Sequence, residues 1–101
     1  MKKVTTEEFN NEITTGVVLT DFYADWCGPC KMLSPVIEQL DKEYDNVKVL
    51  KINVDEEPGL AMKYGVQSIP NVIIFKDGKA VDQSIGFVNK AALAAKLDAQ
   101  L

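Results

Sequence analysis

The chain has no histidine, and because all of its basic positions read Lys it has no arginine either. Without histidine there is no Ser-His or Cys-His nucleophile pair, no imidazole metal ligand and no imidazole proton shuttle near neutral pH. Acid/base work must fall to a carboxylate, Lys, Tyr or a thiol. Without arginine, and with a formal net charge of −4, the chain lacks both the basic stripe that phosphate backbones need and the commonest bidentate contact to guanine. A nucleic-acid ligand is therefore not expected. Long hydrophobic runs are also missing. No window approaches the roughly 18 apolar residues of a membrane span, and no partner membrane is expected. Met1-Lys2-Lys3 could open a signal peptide, but Val4-Thr5-Thr6-Glu7-Glu8-Phe9-Asn10 follows without an apolar run, so the chain reads as cytoplasmic.

What is present is a 101-residue chain, 47% apolar and 26% charged, the composition of one folded domain over residues 1–101. Thr5 and Glu8 make a capping box for a short helix that carries Phe9 and Ile13 and ends near Gly16. Val17 to Ala24 is nearly all apolar or β-forming and reads as a strand buried on both faces, interrupted by Asp21. Leu33, Val36, Ile37, Leu40 and Tyr44 recur at helical spacing, which predicts a long amphipathic helix that starts at the cysteines and is bent at Pro35. A second strand runs from Val47 to Val54. Pro58 opens a short helix behind Asp55-Glu56-Glu57, and Gly65 closes it. Val72 to Phe75 and Ala80 to Ile85 flank Asp77-Gly78, the signal of a hairpin with a type I′ turn. Asn89 caps a last helix whose inner stripe is expected to be Leu93, Leu97 and Leu101. The order helix, strand, helix, strand, helix, hairpin, helix is α/β. It predicts a central mixed sheet with helices on both faces and a C-terminal hairpin and helix.

The reactive inventory is two thiols, Cys27 and Cys30, three apart at a helix start. Both side chains then lie on one helix face and the sulfurs can reach each other. Pro29 is tolerated between them because first-turn amides have no intrahelical partner. The free amides and the positive end of the helix dipole favour a thiolate at Cys27, which is expected to be the exposed nucleophile, with Cys30 one turn deeper as the resolving thiol. A bridge across so short a loop stabilises a fold by only about 2 kcal/mol in the chain-entropy model, so this bond suits opening and closing better than stapling. Zinc would need about four N/S ligands where the chain offers two. A structural disulfide is disfavoured by a reducing compartment, and two unrelated buried thiols are disfavoured by the Gly-Pro spacer at a helix start.

Asp21 is the second reactive group. A carboxylate inside an apolar strand is costly unless paired or protonated, so its pKa is expected to rise, making it the natural proton acceptor for Cys30. Lys51, on the strand face of Val47 and Val49, is the candidate counter-charge. The plainer alternatives are a carboxylate tied up by backbone hydrogen bonds and a lysine that guards a sheet edge.

Trp26-Cys27-Gly28-Pro29-Cys30-Lys31 resembles the active-site motif of the thioredoxin family, and the resemblance extends from Phe9 to the last helix. Supporting positions fall in the same order: Asp21-Phe22, Pro35, Lys51 to Asp55, Pro58, Tyr64-Gly65-Val66, Ile69-Pro70, Lys76-Asp77-Gly78 and Ile85-Gly86. The resemblance implies the thioredoxin fold, a cis Ile69–Pro70 bond against the cysteines, and an apolar substrate groove from Trp26, Gly28, Pro29, Ile69, Pro70, Ile85, Gly86 and Phe87. A free backbone edge beside Pro70 would let such a groove bind extended peptides of many sequences. It further implies a protein-disulfide reductase with no prosthetic group of its own, acting as a monomer on disulfide-containing proteins. The dithiol would be restored by a thioredoxin reductase, usually a flavoprotein drawing on NADPH. Tyr23 and Asn71 depart from the family pattern, which often has Trp and Thr there. The competing class is a thioredoxin-like binding module or accessory subunit that uses the groove without redox turnover, but a pure scaffold has no need of both thiols, the spacer and the buried carboxylate together. An oxidant or isomerase would need an oxidising compartment and is disfavoured by the lack of a signal segment.

Overall fold

A computed structural model describes residues Met1–Leu101. Nine elements follow one another: β1 (Lys2–Lys3), α1 (Thr6–Glu12), β2 (Val17–Tyr23), α2 (Gly28–Glu43), β3 (Val47–Asn53), α3 (Pro58–Lys63), β4 (Asn71–Lys76), β5 (Lys79–Ile85) and α4 (Lys90–Asp98). The strands form one sheet in the order β1-β3-β2-β4-β5. β3 runs parallel to both β1 and β2, while β4 is antiparallel to β2 and to β5. This is the mixed α/β sheet that the alternation of periods predicts.

β2 is central because its first six residues are all buried, so neither face tolerates water. Its alternate residues feed two cores. Val17 and Leu19 pack with Leu33, Ile37 and Leu40 of α2 and Leu93 and Leu97 of α4. Val18 and Phe22 pack on the other face with Phe9 of α1 and Leu60 of α3. Asp21 follows Leu19 on the α2 face, so the strand period itself aims its carboxylate at the helix that carries Cys30.

Local chemistry sets the element ends. The Thr5–Glu8 capping box is present in both directions. Asp77 and Gly78 both have positive φ, 49° and 87°, as a type I′ turn requires. The Asp77 carboxylate also accepts the Gly16 N–H at 2.8 Å, tying the hairpin turn to the start of β2.

One expectation needs correction and one alternative is excluded. Lys2–Lys3, to which the sequence pattern assigns no element, forms a short strand on the far side of β3. Lys51 is consequently not an edge lysine, because β3 has a neighbour on each side. Leu101 does not complete the inner stripe of α4. The helix ends at Asp98, and Leu101 is 54% exposed while Leu93 and Leu97 are fully buried.

Candidate active site

The switch from β2 to α2 places the cysteines. The Cys27 N–H donates to the Ala24 carbonyl at 3.2 Å in the intervening turn, and Cys27 then becomes the N-cap residue of α2 with extended backbone angles. Gly28, Pro29 and Cys30 form the first turn. Pro29 is harmless there, and no acidic side chain occupies that turn to offset the positive dipole end. The third-position amide of a helix is normally satisfied by an oxygen of the cap residue. Here the Cys30 N–H donates to the Cys27 sulfur at 3.2 Å. The two cysteines are joined as a disulfide with their Cα atoms 5.2 Å apart.

The helix-start position predicts Cys27 as the exposed partner, and this too needs correction. Both residues are closely covered, at 4% and 5% exposure, because Tyr23, Val54 and Ile69 pack around Ala24, Cys27 and Cys30. What distinguishes the thiols is position: Cys27 is at the cap, with its sulfur facing a helix amide, and Cys30 lies inside the first turn.

Ile69–Pro70 is a cis peptide bond, and the Ile69 carbonyl oxygen lies 3.8 Å from the Cys27 sulfur. The main chain beside it is not as free as a whole edge. The Pro70 carbonyl already accepts the Gly86 N–H at 2.8 Å, whereas the Ile69 N–H and C=O have no backbone partner. Around this opening Trp26, Ile85 and Phe87 are large apolar side chains exposed by 71%, 61% and 46%. Gly28 and Pro29 are exposed, Ile69 and Gly86 are half-buried, and Pro70 itself is buried. The Trp26 indole N–H donates to Asp55 at 2.8 Å. Asp55 reaches it because the Asn53 side chain accepts the Asp55 and Glu56 N–H groups and curls the chain at the end of β3.

On the other side of the disulfide, a cavity of about 350 Å³ is lined by Asp21, Tyr23, Ala24, Asp25, Cys30, Lys31, Ser34 and Lys51. Asp21 is 1% exposed and its Oδ1 has no hydrogen-bond partner, so the alternative of a carboxylate tied up by backbone is not observed. Burial pushes its pKa from the ordinary 3.8 up to about 6, and the Lys51 ammonium pulls in the opposite direction. Asp21 and Lys51 are register partners on β2 and β3. The strand face of each was readable from periodicity, but their register was not; Ser34 was readable as one turn beyond Cys30 on α2. Asp55, 29 residues from Trp26, had no signal in the sequence.

A disulfide-bonded cysteine pair at a helix start, with an unpartnered carboxyl lining the cavity that Cys30 shares and an apolar opening on the Cys27 side, defines a thiol–disulfide oxidoreductase. Comparison with known proteins agrees. The family model described as Thioredoxin matches residues 1–99. A thioredoxin of Chlamydia caviae is 53% identical over 93 residues, which span 92% of this chain and 91% of that one. A thioredoxin of Staphylococcus epidermidis is 52% identical over 100 residues, 98% of this chain and 96% of that one. Among solved structures, a thioredoxin of Plasmodium falciparum superposes with a TM-score of 0.92 at 33% identity over the full length of both chains. A mutant thioredoxin of Halobacterium salinarum superposes with 0.89 at 39% identity, covering 98% of this chain and 90% of that one. The chain belongs to the thioredoxin family. It is a protein-disulfide reductase that cycles between the Cys27/Cys30 dithiol and disulfide, and it works with disulfide-containing protein substrates and a reductase partner.

Proposed function

We propose the following division of labour within the site. The Cys27 thiolate attacks one sulfur of a substrate disulfide, forming a mixed disulfide and releasing one substrate thiolate, which takes a proton from water. Cys30 then passes its thiol proton to Asp21, and its thiolate attacks the Cys27 sulfur. The second substrate thiolate leaves and is protonated, and two electrons have moved from the dithiol to the substrate. The observation that carries this assignment is the cavity in which Cys30 meets the buried, unpartnered Asp21 carboxyl. A carboxyl with a pKa of about 6 is charged enough at neutral pH to take a proton and basic enough to hold it briefly. Lys51 serves as its counter-charge.

The substrate is an extended segment that carries its disulfide across the Cys27 sulfur. Its main chain pairs with the free N–H and C=O of Ile69, and its side chains lie against Trp26, Gly28, Pro29, Pro70, Ile85, Gly86 and Phe87. Backbone pairing with an apolar rim selects conformation over sequence, which suits a general reductant. The protein works as a single domain, a monomer in the cytoplasm, and it is re-reduced by a flavoprotein that draws on NADPH.

The test is a trap. Cys30→Ser is incubated with a disulfide-containing protein and the adduct is mapped by mass spectrometry. A Cys27-linked mixed disulfide is expected to accumulate; its absence would reject the assignment of nucleophile and resolving thiol. For the base, Asp21→Asn is expected to slow resolution of the mixed disulfide most near neutral pH, and an unchanged pH–rate profile would reject it.

A further inference from the structure

Asp21 and Lys51 stand side by side on neighbouring parallel strands and line one cavity. Opposite charges so placed attract, and a direct ion pair is the obvious outcome. It does not form. None of the ion pairs of the protein includes either residue, and Asp21 Oδ1 has no partner at all. The Lys51 Nζ lies instead over the face of the Tyr23 ring, 4.3 Å from its centroid. Tyr23 is two residues beyond Asp21 on the same strand face, and its ring is held in place by packing against the cluster of Ala24, Cys27 and Cys30.

We propose that Tyr23 is a positioning residue of the redox site: its ring competes with the Asp21 carboxylate for the Lys51 ammonium and holds that charge off the carboxylate. This rests on the reading of Asp21 as the base for Cys30. The negative face of an aromatic ring attracts an ammonium, more strongly as water is excluded. A carboxylate in direct contact with an ammonium is a poorer proton acceptor than one whose counter-charge is kept at a distance. Tyr23 thus preserves the basicity that burial confers on Asp21. The remaining charges nearby do not take over the part of Lys51. Lys3 of β1 is paired with Glu56 at 2.9 Å, and Asp25 lies in the turn after β2. From α2 come Lys31 and the Cys30 thiol, and β4 sets uncharged Val72 opposite Asp21. Lys51 is the charged group that acts on Asp21.

The experiment follows the Asp21 carboxyl carbon by NMR titration of the reduced protein. It compares the parent chain, Tyr23→Leu, Tyr23→Phe, Lys51→Met and the Tyr23→Leu/Lys51→Met pair. Tyr23→Leu is expected to lower the Asp21 midpoint by about one pH unit, the low end of the effect of a new opposite charge in contact. Tyr23→Phe keeps the ring face and is expected to leave the midpoint in place. In the Lys51→Met background the Tyr23→Leu shift is expected to shrink to a minor fraction. A shift of equal size with and without Lys51 would mean that the ring only excludes water, and would overturn the proposal; so would an upward shift or none. Should Tyr23→Leu fail to fold, Tyr23→Met, closer in volume, gives the same comparison. The carboxyl midpoint reads where the ammonium sits whether or not Asp21 takes a proton from Cys30. A lowered midpoint beside an unaltered pH–rate profile would therefore reject the base while leaving Tyr23 its role.

Discussion

The Cys30 backbone N–H points at the Cys27 sulfur across 3.2 Å, so the redox pair doubles as the N-cap of its own helix. In the reduced protein the same amide is expected to face the Cys27 thiol and, together with the uncompensated first turn, to stabilise negative charge there. Cys27 is therefore expected to react with iodoacetamide at pH 7 at least about tenfold faster than Cys30, the consequence of a lowered thiol pKa. Single Cys→Ser variants separate the two rates. Comparable rates would remove the helix end as the source of reactivity.

Stability should carry the signature of Asp21. Its folded pKa is raised from 3.8 to about 6, so between those values the folded protein binds more protons than the unfolded chain. Stability is then fully present below about pH 4 and falls as pH rises from there through about 6. A shift of about two pH units corresponds to roughly 3 kcal/mol by linkage. In urea titrations, the stability of Asp21→Asn relative to the parent chain is expected to rise by about that amount between pH 4 and pH 8, and a flat difference would contradict the raised pKa.

Trp26 owes its orientation to one hydrogen bond, from the indole N–H to the Asp55 carboxylate at 2.8 Å. Asp55→Ala frees an exposed ring that then has to be ordered when substrate binds. A bond to a charged acceptor at a wet site is worth about 1 kcal/mol, so KM for a protein disulfide should rise about fivefold with little change in kcat. Steady-state kinetics with a small disulfide, too short to reach Trp26, supplies the control.

The C-terminal segment offers a contrast between two leucines four residues apart, Leu97 inside α4 and Leu101 beyond its end. Leu97 is fully buried between α2 and the sheet, whereas Leu101 is 54% exposed. Leu97→Ala is expected to cost about 2–5 kcal/mol through lost burial and a cavity. Leu101→Ala is expected to stay within about 0.5 kcal/mol. Chemical denaturation of the two variants decides.

Much of this was legible along the chain. The buried run from Val17, the stripe of Leu33, Ile37 and Leu40, the Asp77-Gly78 turn and the Thr5–Glu8 box all act within a few residues, so their spacing speaks directly. The same holds for Cys27 and Cys30, and for the improbable Asp21 in an apolar strand. The two-residue strand at Lys2–Lys3 could not be read, because it is held by the backbone of β3 and not by any pattern of its own. Nor could the end of α4, since Leu101 continues the helical spacing after the helix has stopped.

Order along the chain was enough to establish the chemistry available: two thiols three apart, no imidazole, and one carboxylate that burial makes basic. How that chemistry is tuned depends on the packed molecule. Whether the Lys51 ammonium rests on Asp21 or on the Tyr23 ring, and whether Asp55 reaches Trp26, are contests between contacts of similar strength. They are settled by how segments far apart in the chain pack against one another, and local spacing carries no record of that outcome.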